Sequence, residues 1–242
     1  MLENSWLIGA ILNGVLLAIA AIIPKKLLTP WGLVHGYALG VIIWATLGWQ
    51  GYAIVMVYFA VGSGVTKVKA AQKEAEGIAE SRGGARGPEN VWGSALVGTI
   101  CALGFVFFPA MKTLWYLGYT ASFATKLADT TASEIGKAYG KTTFLITTFK
   151  PVPRGTEGAI SLEGTLAGIG GSMVIAFLAY GVNLIDPLGI VITIAAAFIA
   201  TNVESLIGAT LQEKFAILTN EVVNIINTAV GAGVAIAFNL LR

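Results

Sequence analysis

Long apolar runs without charge recur along this chain, and they constrain it more than any other feature. The first, Ser5 to Ile23, carries no charged residue and is long enough to cross a bilayer as a helix. In hydrocarbon every backbone N–H and C=O must be satisfied inside the segment, so a chain of such runs folds as helices. Eight runs are read as membrane segments, at roughly 5–23, 31–48, 51–64, 93–109, 112–130, 161–182, 187–205 and 219–240. The second and third are short and meet at a Gly-Trp-Gln turn region, so they form either one hairpin or a re-entrant pair. The expected fold is all-α, a polytopic transmembrane bundle of about 6–8 spans.

Composition agrees. Only 12% of the 242 residues are charged and 56% are hydrophobic, against about 25% charge in soluble domains. A net charge of +2 gives no electrostatic footprint for nucleic acid. Cys101 is alone, which excludes an intrachain disulfide or a cysteine metal cage. No Lys or Arg precedes the first run, so it reads as a span rather than a secretory signal.

Basic residues in the connections predict sidedness. Lys25 and Lys26 follow the first span. Lys67, Lys69, Lys73, Arg82 and Arg86 follow the third. Lys137, Lys141, Lys150 and Arg154 follow the fifth, and Lys214 the seventh. The other side has only Lys112 and Arg242, while Lys126 lies within a span. The N-terminus is therefore expected outside, with three polar loops in the cytoplasm or its equivalent. Pro24, Pro30, Pro109 and Pro187 fall at span edges, where proline costs little. His35, the sole histidine, is expected either to make a helix–helix hydrogen bond or to meet the membrane interface.

The stretch Asp129 to Lys141 reads D-T-T-A-S-E-I-G-K-A-Y-G-K. On a helix, Lys126, Asp129, Ala132, Ser133, Gly136 and Gly140 fall within roughly 60° of Asp129. That edge is polar and smooth, so another backbone or a phosphate can approach it closely. The long loop after the third span ends glycine-rich and basic. It is either a lid that meets phosphates through Lys67, Arg82 and Arg86 or a solvated loop facing anionic lipid. The loop 142–160 places Arg154 and Glu157 beside Gly155 and Gly158. Asn202, Glu204 and Ser205 end the seventh span, and Glu221, Asn224 and Asn227 belong to the last. Those asparagines either bond neighbouring helices or line a polar cavity.

An acid at the bilayer centre costs about 2.5–3.5 kcal/mol on insertion scales. Asp129, Glu204 and Glu221 lie in or beside apolar runs, with Glu134 and Glu157 near them in the chain. Lys126, Lys137, Lys141 and Arg154 gather at the same end. Either these charges neutralise one another, or the acids hold Mg²⁺ while the bases hold phosphate oxygens. Phosphoryl transfer needs the second arrangement. Gly136-K-A-Y-Gly140-Lys141-Thr142 falls one residue short of a P-loop and follows an apolar helix, so it is set aside.

The pattern D-x-x-A-x-x-x-G-x-x-x-G-K, followed by a basic segment bearing E-G, resembles the signature of the dolichol kinases and phosphatidate cytidylyltransferases. From Gly62 onward the chain more closely resembles the phytyl-phosphate kinases of tocopherol synthesis. The likeness rests on G-S-G-V-T-K, R-G-P-E-N-V-W-G-S, K-L-A-D-T-T-A-S-E-I-G-K, P-V-P-R-G-T-E-G-A-I-S, N-V-E-S-L-I-G-A and N-E-V-V-N. It implies transfer of the γ-phosphoryl of CTP or another nucleoside triphosphate to an isoprenoid monophosphate, with Mg²⁺ as cofactor. The whole chain, 1–242, would be one integral membrane catalytic domain of a bacterial-type inner membrane, a thylakoid or a plastid membrane. Asp129 would be the catalytic acid and, with Glu157, a metal ligand. Arg154 would complete the phosphate site. Lys126, Ser133, Lys137 and Lys141 would serve the nucleotide, with Lys67, Arg82 and Arg86 also meeting phosphates. Glu134 points about 140° from Asp129 and Asn202 about 160° from Glu204, so each pair is expected to diverge. The other readings are a cytidylyltransferase acting on a lipid phosphate, and a lipid or ion transporter.

Overall fold

The structure, a computed structural model, describes residues 2–23, 27–212 and 214–241. Pro24, Lys25, Lys26 and Arg242, used above, lie outside the described residues. The helices are α1 (Leu2–Ile22), α2 (Pro30–Thr66), α3 (Ala70–Ala75), α4 (Pro88–Phe107), α5 (Lys112–Tyr139), α6 (Leu162–Gly181), α7 (Pro187–Ile207) and α8 (Asn220–Leu240). Two short strands, β1 (Phe144–Leu145) and β2 (Ala159–Ile160), pair antiparallel inside the loop between α5 and α6. Among the described residues, six helices are long and apolar enough to cross a membrane: α1, α2, α4, α6, α7 and α8.

α2 is a helical hairpin. At Gly48 the backbone turns to φ 63°, ψ −159°, a conformation suited to glycine. A straight helix from Thr29 to Gly62 would span about 50 Å. Instead both ends reach Arg86: the Thr29 N–H donates to the Arg86 carbonyl at 3.0 Å, and the Arg86 guanidinium lies against Gly62 and donates to the Tyr58 hydroxyl at 2.7 Å. Trp44 and Tyr52 close across the turn with ring centroids 5.4 Å apart. The alternative left open between 31–48 and 51–64 is thus resolved as a hairpin.

α5 is the axis. It packs against α2, α4, α6, α7 and α8, and every residue from Leu117 to Ala128 is buried. This explains why it carries too many polar groups to stand among the six apolar helices: its neighbours, not lipid, surround it. It also runs to Tyr139, nine residues past the expected end at 130. Polarity lowers the apolar signal there, but neighbouring helices keep the backbone helical.

The small residues of the smooth edge of α5, Ala132 and Gly136, receive α6. A Cβ on Gly164 would sit 2.6 Å from the Ala132 carbonyl, and one on Gly168 3.1 Å from that of Ala128. Small residues here let two backbones approach, as in membrane helix pairs. The Tyr119 hydroxyl ties α5 to the Gly51 carbonyl near the hairpin tip at 2.7 Å. The Trp92 indole donates to His35 Nδ1 at 2.9 Å, a helix–helix bond, one of the two roles expected of that histidine. Outward faces carry exposed Leu7, Ile11, Val15, Leu166, Phe177 and Val191, the surface a bilayer covers.

Candidate functional site

The antiparallel course of the helices brings the end of α5, the long loop 67–87, the β1–β2 loop and the starts of α4, α6 and α8 to one end of the bundle. The long loop is fastened there by charge. Lys73 and Glu134 form a buried ion pair, each 1% exposed, and the Lys73 ammonium also donates to the Thr66 carbonyl at 2.8 Å. Arg154 forks onto Glu76 at 2.8 and 3.0 Å, and Lys69 donates to the Ala138 carbonyl at 3.1 Å.

Between these elements lies a polar cavity of about 310 Å³, within the size range of small-molecule sites. Asp129 and Lys126, one helical turn apart on α5, line it together. The Lys126 ammonium donates to Asp129 Oδ2 at 2.6 Å and to Asn224 Oδ1 of α8 at 2.7 Å. Glu204 enters from α7 and Glu157 from the β1–β2 loop. Asp129, Glu157 and Glu204, three acids from three elements, thus line the same cavity as Lys126 and Lys137. Glu221 also lines the cavity and accepts from the Asn90 amide at 3.3 Å. Lys137 stands 3.6 Å from both Glu80 and Glu134.

Arg86 differs from the other cavity cations. Its guanidinium bonds Tyr58 and lies 5.1 and 5.5 Å from the Tyr58 and Phe59 ring centroids. Among the described residues no carboxylate pairs with it. Arg86 lines the cavity, and a guanidinium there suits an anion.

Of the residues singled out from sequence, the cavity gathers Lys126, Asp129, Ser133, Glu134, Lys137 and Arg86, with Glu157, Glu204, Ser205, Glu221 and Asn224. Others stand apart. Arg154 is spent on Glu76 and the Lys137 carbonyl, so it braces the loop from outside the cavity wall. Lys67 and Lys141 are exposed and do not line it. Arg82 is exposed and bonds Asn90 and Glu89. Asn202 turns to a smaller crevice beside Ala128 and Ser172, diverging from Glu204 as helical phase predicts. Asn227 is fully buried behind the cavity, and its amide finds no hydrogen-bond partner among the described residues.

Sequence reasoning missed Tyr58, Glu80, Asn90, Ser94, Thr165 and Thr201 on the cavity wall. It also missed Lys73, which in A-A-Q-K-E-A reads as a solvated lysine. Asn90 and Ser94 both sit inside the quoted R-G-P-E-N-V-W-G-S motif, which was a usable signal; the others had none.

Among the described residues no group of three or more His, Cys, Asp or Glu side chains is tight enough to form a metal cage. Mg²⁺ commonly takes one or two carboxylates and completes its shell with water and substrate phosphates. Asp129 with Glu157 or Glu204, hard oxygen donors beside a phosphate-sized space, fits that habit.

The profile of the integral membrane protein family DUF92 matches residues 13–232. An uncharacterized membrane protein of Synechocystis sp. is 65% identical over 96% of this chain and 90% of its own length. Protein VTE6 of Arabidopsis thaliana, which is chloroplastic, is 48% identical over 85% of this chain and 63% of its own length. An uncharacterized membrane protein of Methanocaldococcus jannaschii is 34% identical over 83% of this chain and 81% of its own. No solved structure matches. The family likeness extends back from Gly62 into the first helix.

Proposed function

This chain belongs to the DUF92 family of integral membrane proteins, and on that premise we propose that it is a prenyl-phosphate kinase of the phytyl type. It moves the γ-phosphoryl of CTP, or of another nucleoside triphosphate, onto an isoprenoid monophosphate. A bond forms between an acceptor phosphate oxygen and the γ-phosphorus, the bond to the β-bridging oxygen breaks, and a nucleoside diphosphate leaves. The observation that carries this reading is one cavity, open at the polar end of a lipid-embedded bundle, where Asp129, Glu157 and Glu204 meet Lys126, Lys137 and Arg86. The motif resemblance to the phytyl-phosphate kinases and the kinship with a chloroplastic relative support it.

The acceptor is already an ionised phosphate oxygen, so no strong base is needed. Positioning and charge neutralisation do the work. Lys126, held by Asp129 and Asn224, and Lys137 on the next turns of α5 present cations along one wall. Arg86, free of acidic partners among the described residues, faces them from the loop side and would orient the acceptor phosphate. Mg²⁺, when bound, would draw charge from the nucleotide phosphates; Asp129 with Glu157 or Glu204 would hold it. The cavity end faces the cytoplasm or its equivalent, because the described loops at that end carry most of the basic residues.

The test is purified protein in lipid with Mg²⁺, each nucleoside triphosphate in turn and a labelled prenyl phosphate, with products resolved. Release of CDP together with a prenyl diphosphate supports the kinase. Release of pyrophosphate marks a cytidylyltransferase, and lipid movement without nucleotide marks a transporter.

A further inference from the structure

A second cavity, of about 290 Å³, lies between α1, the α2 hairpin and the start of α4. It shares Tyr58, Arg86, Asn90 and Ser94 with the polar cavity, so the two meet end to end. Its walls are otherwise almost wholly aliphatic and aromatic. The far end is closed by Asn13 and Tyr52, whose polar atoms are already spent: the Tyr52 hydroxyl donates to Asn13 Oδ1 at 2.8 Å, and the Asn13 amide donates to the Gly9 carbonyl at 2.9 Å. From Asn13 to Ile23 along α1 the cavity runs for about 15 Å. Ile19, Ile23 and Met56 line it and are also exposed on the outer surface, so it opens sideways to the bilayer.

We propose that this cavity holds the hydrocarbon tail of the acceptor lipid, with Arg86 gripping its phosphate where the two cavities join. The assignment rests on the kinase reading for the identity of the headgroup and on the geometry for the tail. An apolar slot that ends at a guanidinium with no carboxylate partner among the described residues matches an amphiphile with one anionic end and one apolar chain. The lateral opening lets the chain slide in from the membrane while the phosphate moves into the polar end. Gly36 lines the slot, and a Cβ there would have only Leu28 Cδ1 near it, at 3.8 Å. A larger side chain at Gly36 therefore intrudes on the tail rather than on the protein.

The experiment is photolabelling of the full chain in nanodiscs with a C20 isoprenoid monophosphate carrying a diazirine on its chain, followed by peptide mapping. Labels on segments 13–23, 36–59 and 91–95 are expected, and Gly36→Leu should lower them about tenfold. Gly170→Leu, on an exposed face of α6 with nothing within 4 Å of an added Cβ, should leave them unchanged. Absence of labelling, labels concentrated on α6 to α8 or beside Asn202, or labelling indifferent to Gly36→Leu in a folded protein would overturn the proposal. If Gly36→Leu does not fold, the wild-type map decides alone. Phosphotransfer measured on the same samples keeps the two readings apart: labelling of the slot without transfer retains the tail site and removes the kinase, and transfer without such labelling does the reverse.

Discussion

Replacing Glu134 with Gln tests how the cavity is closed on its loop side. Glu134 and Lys73 are each 1% exposed and form the main link between α3 and α5. Glu134→Gln keeps the shape and leaves a buried ammonium without its carboxylate. Breaking a buried pair by removing one partner costs about 3–5 kcal/mol. Lys73 keeps the Thr66 carbonyl at 2.8 Å, which argues for the lower end, about 3 kcal/mol. At 1.4 kcal/mol per factor of ten, amide protection across residues 67–87 should fall by about two orders of magnitude. Hydrogen–deuterium exchange in nanodiscs reads this directly, and protection in α6 to α8 should hold. The pair Lys73→Met with Glu134→Leu should recover most of the loss, because an apolar pair of similar volume needs no desolvated charge. Because Glu80 and Arg86 ride on this loop, the single variant should also bind prenyl phosphate more weakly. A change in loop protection smaller than about threefold would refute the claim that the ion pair docks the loop.

Asp129→Asn should lower turnover about 100- to 1,000-fold with little change in expression, the scale seen when one electrostatic stabiliser is lost; full turnover in a steady-state assay would remove Asp129 from the chemistry. Arg86→Lys gives up the planar fork and should raise the KM for prenyl phosphate about tenfold, and the KM for nucleotide far less. Gly171→Val would drive a Cβ into Thr131 Oγ1. It should separate α5 from α6 at a cost of about 1–3 kcal/mol, read as a lower thermal transition. Chelation of divalent cations should stop turnover, and added Mg²⁺ should restore it; turnover in excess chelator would count against the metal assignment.

The sequence already outlined the helices, because uninterrupted apolar runs admit little else in a membrane. The hairpin at Gly48 stayed open since one glycine marks both a tight reversal and a mild bend; contacts with distant Arg86 decide it. The end of α5 was placed at 130 because Asp129, Glu134 and Lys137 weaken the apolar signal, although burial by five helices sustains the helix. Helical phase separated Glu204 from Asn202, a local property that sequence carries well. The acidic partners of Lys73 and Arg154 were not legible, since both lie more than sixty residues away along the chain. The smooth edge of α5 suggested either a backbone or a phosphate, and it is divided: α6 approaches Ala132 and Gly136, while Lys126, Asp129 and Ser133 line the cavity.

The most direct measurement is a structure of the protein in lipid with Mg²⁺, a non-hydrolysable CTP analogue and phytyl phosphate. The nucleotide and lipid phosphates should lie together in the polar cavity, between Asp129 on α5 and Arg86 on the loop, with the acceptor oxygen in line with the γ-phosphorus. Phosphates bound elsewhere, or Asp129, Glu157 and Glu204 facing only protein cations, would contradict it.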